Sequence, residues 1–289
     1  MKRIILSLTM IVAVGAIVIA STGAFFSDTE TSTGNTFTAG EIDLTIDSQQ
    51  HYNGNSCING FWSGSAAYPV PGSVCFGTWG QIDDAQGLEG INVTSEKFFT
   101  FNDLKPGDWG ENTISLHVDS NPAWVCANIK VKSDYDVTCT EPEEADDQDC
   151  STDLNAFNGE IAENLSLAWW ADDGDSVLEG NENVFFMNGS KLSTLLNGGD
   201  TLKLTLADSL QNFFTNLNSG PLNGGTTYYV GMQWCFGDMV INGTTITCNG
   251  APVNNASQSD SLTADISFSA VQSRNNSSFR CKDTYKPAI

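Results

Sequence analysis

The chain is short of positive charge. It carries 12 Lys and Arg against 35 Asp and Glu in 289 residues, a formal charge of −23. A surface this acidic repels phosphate backbones and anionic lipid, which excludes nucleic acid as a partner. Histidine is also scarce: His51 and His117 are the whole supply. There is no His-Glu-x-x-His, no Gly-x-Ser-x-Gly and no Cys-x-x-Cys. These absences remove the usual signatures of zinc peptidases, α/β-hydrolases and thiol redox proteins. A catalytic zinc usually takes three protein ligands, mostly histidine, and two histidines do not supply them. The sequence therefore points away from an enzyme.

Long apolar runs are missing after the first, at residues 4–20. Lys2 and Arg3 precede that run, and Thr22 and Ala24 follow it as small residues, the pattern of a secretory signal cleaved near Ala24 and Phe25. The alternative is an uncleaved anchor, since the run is close to bilayer-spanning length, although Ser7, Thr9 and Gly15 dilute it. The segment after the run is polar and rich in Thr and Ser. Residues 41–47 then alternate, with Ile42, Leu44 and Ile46 on one face, as in a half-buried strand.

Eight cysteines are scattered through the chain: Cys57, Cys75, Cys126, Cys139, Cys150, Cys235, Cys248 and Cys281. An even count behind a signal peptide reads as disulfides in an oxidising compartment. About 105 full pairings exist for eight cysteines. Cys57–Cys75 and Cys139–Cys150 are the local candidates, because each closes a short polar loop.

The body reads as antiparallel β-structure with a few short helices in loops. Residues 97–101, 112–120, 123–131, 165–171, 201–206, 227–236 and 262–270 have strand patterns, and turn residues separate them. Leu104-Lys-Pro-Gly-Asp108 has Pro106 and Gly107 at the central positions of a type II turn. Residues 154–164, 191–196 and 210–217 are helical candidates. Residues 141–153 read as an acidic loop. Residues 49–90 are rich in Gly, Ser, Asn and Pro and read as a loop-rich insertion. The layout is thus a leader at 1–24, an N-terminal segment at 25–48, the insertion, and a main β-sandwich at 91–289.

One acidic stretch has the ligand types that calcium takes. Asp172, Asp173, Asp175, Glu179 and Glu182 crowd one glycine-containing segment, offering several hard oxygen donors. The Asp-x-Asp-x-Asp-Gly spacing of an EF-hand is absent, and a solvated acidic turn is the plainer alternative.

Three segments, in order, carry a family resemblance. Phe26-Ser-Asp followed by Thr36-Phe-Thr-Ala-Gly-Glu-Ile-Asp-Leu44 resembles the start of mature TasA/camelysin family proteins. Phe101-Asn-Asp-Leu-Lys-Pro-Gly-Asp108 and the strand after it resemble that family's Leu-Lys-Pro-Gly-Asp turn and strand. Asp265-Ile-Ser-Phe-Ser-Ala-Val-Gln272 resembles its final strand. The chain departs from the pattern in its cysteines, in residues 49–90 and in the Cys139–Cys150 loop. The resemblance implies a secreted jelly-roll subunit of extracellular fibres or biofilm matrix, processed by a signal peptidase of the SipW type. It also implies a head-to-tail homopolymer in which each subunit donates an N-terminal strand to the next. Ile42, Leu44 and Ile46 are the candidate donor residues; the alternative is that their strand pairs within its own subunit. The other functional readings are a monomeric cell-surface binding module and, through the camelysin name, a metallopeptidase.

Overall fold

The computed structural model describes residues 27–31, 44–77, 103–118, 121–152, 157–184, 189–215 and 219–281. The leader, Ile42 and residues 78–102 lie outside the described residues. Two antiparallel sheets dominate. The larger contains β2 (Leu44–Tyr52), β3 (Asn55–Ile58), β4 (Phe61–Ser63), β5 (Trp109–Val118), β7 (Leu165–Asp172), β8 (Ser190–Lys191) and β10 (Thr226–Phe236), in the order β4-β3-β2-β5-β10-β7-β8. The smaller contains β1 (Ser27–Thr31), β6 (Ala123–Asp136), β9 (Thr201–Ala207) and β13 (Asp260–Gln272), in the order β1-β13-β6-β9. A hairpin of β11 (Asp238–Asn242) and β12 (Thr245–Asn249) stands apart. Among the described residues three one-turn helices lie in connections: α1 (Glu141–Glu144), α2 (Ile161–Asn164) and α3 (Leu192–Leu196). Among the described residues no helix is long and apolar enough to cross a membrane.

Alternation builds the core. Ile114, Leu116 and Val118 of β5, Val230, Met232 and Trp234 of β10, and Leu167 and Trp169 of β7 are buried on one face of the large sheet. They meet Val125, Ala127, Ile129 and Val131 of β6 and Ile266, Phe268 and Ala270 of β13. Trp169 and Phe268 stack between the sheets with ring centroids 6.4 Å apart. This is the all-β antiparallel sandwich that the period-2 pattern implies.

Gly231 has a packing role on the opposite face. It stands across from Trp170, and a Cβ there would meet the indole at 2.1 Å. The Pro-Gly turn forms as expected: Gly107 has φ +91°, and the Asp108 N–H donates to the Lys105 carbonyl at 2.9 Å. Asp108 then links the turn to the β2–β3 hairpin, accepting from Tyr52 Oη at 2.7 Å and Asn53 Nδ2 at 2.9 Å.

Residues 49–77 differ from the loop-rich insertion expected. β2 runs across the boundary at 48, and β3 and β4 extend the large sheet. The turns are Asn53-Gly54 and Asn59-Gly60, all four residues at positive φ. That is the type I′ geometry in which Asn-Gly joins two strands. The acidic loop at 141–153 holds α1, where Glu143 is fully buried. Of the helix expected at 154–164 the described residues 157–164 contain α2, and of that expected at 210–217 the described residues 210–215 contain a 3-10 turn at Phe213–Thr215; the rest of both spans lies outside the described residues.

All eight cysteines pair, as Cys57–Cys75, Cys126–Cys281, Cys139–Cys150 and Cys235–Cys248. Both local candidates are therefore present. Four disulfides fit an oxidising environment.

Candidate functional site

The N-terminal strands occupy different sheets. β1 lies on the outer edge of the small sheet and pairs with β13, from Ser27 opposite Val271 to Thr31 opposite Ser267. Among the described residues β13 is its one ladder partner. β2 pairs with β5 over nine residues, from Leu44 opposite Val118 to Tyr52 opposite Gly110. Leu44 is fully buried and Ile46 is half-buried against the same core. Of the candidate donor residues, then, Leu44 and Ile46 sit in a strand of their own chain, and Ile42 lies outside the described residues.

The two histidines are far apart. His51 stands opposite Glu111 across β2 and β5, while His117 stands opposite Thr45. Positions 111 and 117 of β5 are about 20 Å apart at the usual strand rise. His117 exchanges hydrogen bonds with Ser115 Oγ at 2.9 Å and Thr227 Oγ1 at 3.0 Å. His51 was expected in a loop and is in β2, where burial lowers its pKa. Burial also raises Glu111 to about 7, helped by the charge of Asp172.

The acidic segment at 172–182 splits into parts. Asp173, Asp175 and Glu179 bring carboxylate oxygens within 4.8 Å of one another at the surface. Asp172 turns inward instead. It accepts from Trp170 Nε1 at 2.9 Å, from the Gly174 N–H at 2.9 Å and from the Ser176 N–H at 3.4 Å. Glu182 accepts from the Glu179 N–H at 2.8 Å, and burial lifts it to about 7. The structure thus collects three of the five expected ligands and uses the other two to hold the loop.

A second carboxylate group lies at the far end of the small sheet, and its members are dispersed in sequence. Asp136 ends β6, Asp260 begins β13, and Glu160 precedes α2; their oxygens also come within 4.8 Å. Glu143 and Asp147 are buried nearby, on the loop closed by Cys139–Cys150. Burial raises Glu160 to about 8, with repulsion from Asp260, Asp147 and Asp136. Burial likewise raises Asp260 and Asp134 to about 7. No local spacing marks this group, because residues 136, 160 and 260 meet only through the β6–β13 ladder and the turn at 160. The one sequence signal was a charged residue, Asp260, where an alternating strand begins.

No protein-family model matches the chain, and no curated protein matches it. What it does must be read from its own geometry.

Proposed function

We propose that this protein is a secreted structural subunit of extracellular fibres or matrix, assembled head to tail through its N-terminal strand. The observation that carries the reading is the position of β1. It follows closely on the signal-like segment and, among the described residues, lies on a sheet edge with β13 as its one ladder partner. Lifting it away exposes the unpaired backbone edge of β13, a template for an equivalent strand from another copy. A contact of this kind that does not close on itself generates a filament. β1 pairs in the small sheet and β2 in the large one, so exchange of β1 does not require breaking the β2–β5 ladder.

This reading moves the exchange from β2 to β1. Leu44 is integral to the core, whereas β1 adds an edge. Export through a SipW-type signal peptidase, with cleavage near Phe25, would free the segment that carries β1. The four intrachain disulfides fit the oxidising destination.

The separation of His51 and His117 argues against the peptidase reading, since both cannot ligate one zinc through bonds of about 2 Å. Negative-stain electron microscopy of the mature protein, and of a form lacking residues 25–31, tests the proposal. Filaments from the first and folded monomers from the second are expected. Filaments of equal length from both, or none from the mature protein in any condition, would leave a monomeric surface module.

A further inference from the structure

We propose that Asp136, Glu160 and Asp260 bind a calcium ion, with Glu143 and Asp147 completing its charge environment, at the end of the small sheet. Asp136 and Asp260 are direct partners across the β6–β13 ladder, the position where like charges destabilise a pair of strands. Glu160 joins them from the turn before α2. Among the described residues no lysine or arginine makes an ion pair with any of the five.

The decisive observation is how each carboxylate is used. Asp136 is fully buried; its Oδ2 accepts from the Ser151 N–H at 2.7 Å and Asn158 Nδ2 at 2.5 Å, while its buried Oδ1 has no partner. Asp260 Oδ2 accepts from the Glu160 N–H at 2.7 Å, and its Oδ1 has none. Glu143 is fully buried; its Oε2 accepts from Ser259 Oγ at 2.9 Å, and its Oε1 has none. Asp147 repeats the pattern, with Oδ1 on the Asp149 N–H at 2.9 Å and Oδ2 unpartnered. Glu160 Oε2 is buried and unpartnered as well. One oxygen of each of Asp136, Asp260, Glu143 and Asp147 is anchored in this way, and Asp136, Glu160 and Asp260 bring carboxylate oxygens within 4.8 Å of one another, close enough for Asp260 to share a proton with Asp136 or with Glu160 when no cation is bound. Buried carboxylates without partners are costly, and a bound cation supplies the missing partner.

The donor chemistry selects the ion. Every donor is oxygen, and the neighbouring Cys139 and Cys150 are locked in a disulfide, so no thiolate or imidazole is present for a softer metal. The donors come from separate segments, two strand ends and a turn, which suits the larger, more flexible coordination of calcium better than the strict octahedron of magnesium. The ion would tie β6, β13, the α2 turn and the Cys139–Cys150 loop together.

The test is a melting curve of the oxidised mature protein in calcium chloride, in magnesium chloride and in EGTA, beside Asp260→Asn and Asp175→Asn. Wild type should melt several degrees higher in millimolar calcium than in EGTA, with a smaller shift in magnesium. Asp260→Asn should lose most of that shift, and in EGTA it should melt at or above wild type, because one of two opposed charges is gone. Asp175→Asn, on the exposed loop, should keep the shift. No calcium-dependent shift in wild type would overturn the proposal, and the buried carboxyls would then be held by shared protons alone. Loss of the shift in Asp175→Asn but not in Asp260→Asn would also overturn it and place the ion on the 172–182 loop.

Discussion

Asp260 faces Asp136 directly across the β6–β13 ladder, and β13 is also the strand that holds β1 along its other edge. The carboxylate pair and the exchangeable strand therefore share one structural element. Calcium that fixes the start of β13 should steady the strand onto which β1 docks. Chelation is expected to speed amide hydrogen exchange at residues 139–160 and in the first turn of β13, while β10, central in the other sheet, stays protected. Uniform exchange with and without EGTA would separate the ion from this part of the fold.

Leu44 tests which N-terminal strand belongs to the subunit. It is fully buried opposite Val118. Leu44→Ala is expected to cost about 2–5 kcal/mol, the range for deleting a leucine in a core. Leu44→Asp should cost more, since it buries an unpaired charge. Denaturant unfolding of monomers measures both. A Leu44→Asp monomer as stable as wild type would return β2 to the role of donated strand.

Glu111 sets a pH dependence. Its folded pKa is raised to about 7 by burial and by Asp172, above the ordinary glutamate value of about 4.3. A raised acid gives stability that is fully present below the unfolded pKa and is lost as pH rises through about 7. Glu111→Gln should therefore flatten part of the fall in melting temperature between about pH 4 and pH 8, the span between its unfolded and folded titrations. The comparison is best made in saturating calcium. Parallel curves for the two proteins would show that Glu111 is solvated.

Cys126–Cys281 spans 155 residues and holds the end of the described chain to β6. Replacing both cysteines by serine should cost about 4 to 5 kcal/mol by the loop-entropy relation. The Cys139–Cys150 bridge, with a separation of 11, should be worth less in the same relation. Paired unfolding curves give the order, and the reverse order would show that the short bridge acts through the carboxylate loop.

The sheets were legible because their strands alternate in sequence: β5, β10 and β13 place apolar side chains at every second position toward the core, even though residues 112–116 and 230–236 are buried on both faces. The Asn53-Gly54 and Asn59-Gly60 hairpins carried a readable signal too, but the surrounding Gly, Ser and Pro masked it as loop. β1 was not legible, since Ser27–Thr31 is polar throughout and shows no apolar alternation. The acidic segment at 172–182 drew attention by crowding, yet Asp172 serves its own loop. The buried carboxylates escaped notice because residues 124 positions apart, at 136 and 260, meet only through strand register. Local charge density is a poor guide to such a site, and burial is a better one.

The most direct test of assembly uses the β1–β13 register itself. Thr29 stands opposite Ser269. One preparation would carry Thr29→Cys and another Ser269→Cys, and the two would be mixed under polymerising conditions and crosslinked with a short bismaleimide. Strand exchange should give a covalent dimer joining one chain of each kind, with longer ladders from the doubly substituted protein. Crosslinks confined within single chains of the double variant, and none between the mixed single variants, would contradict assembly through β1.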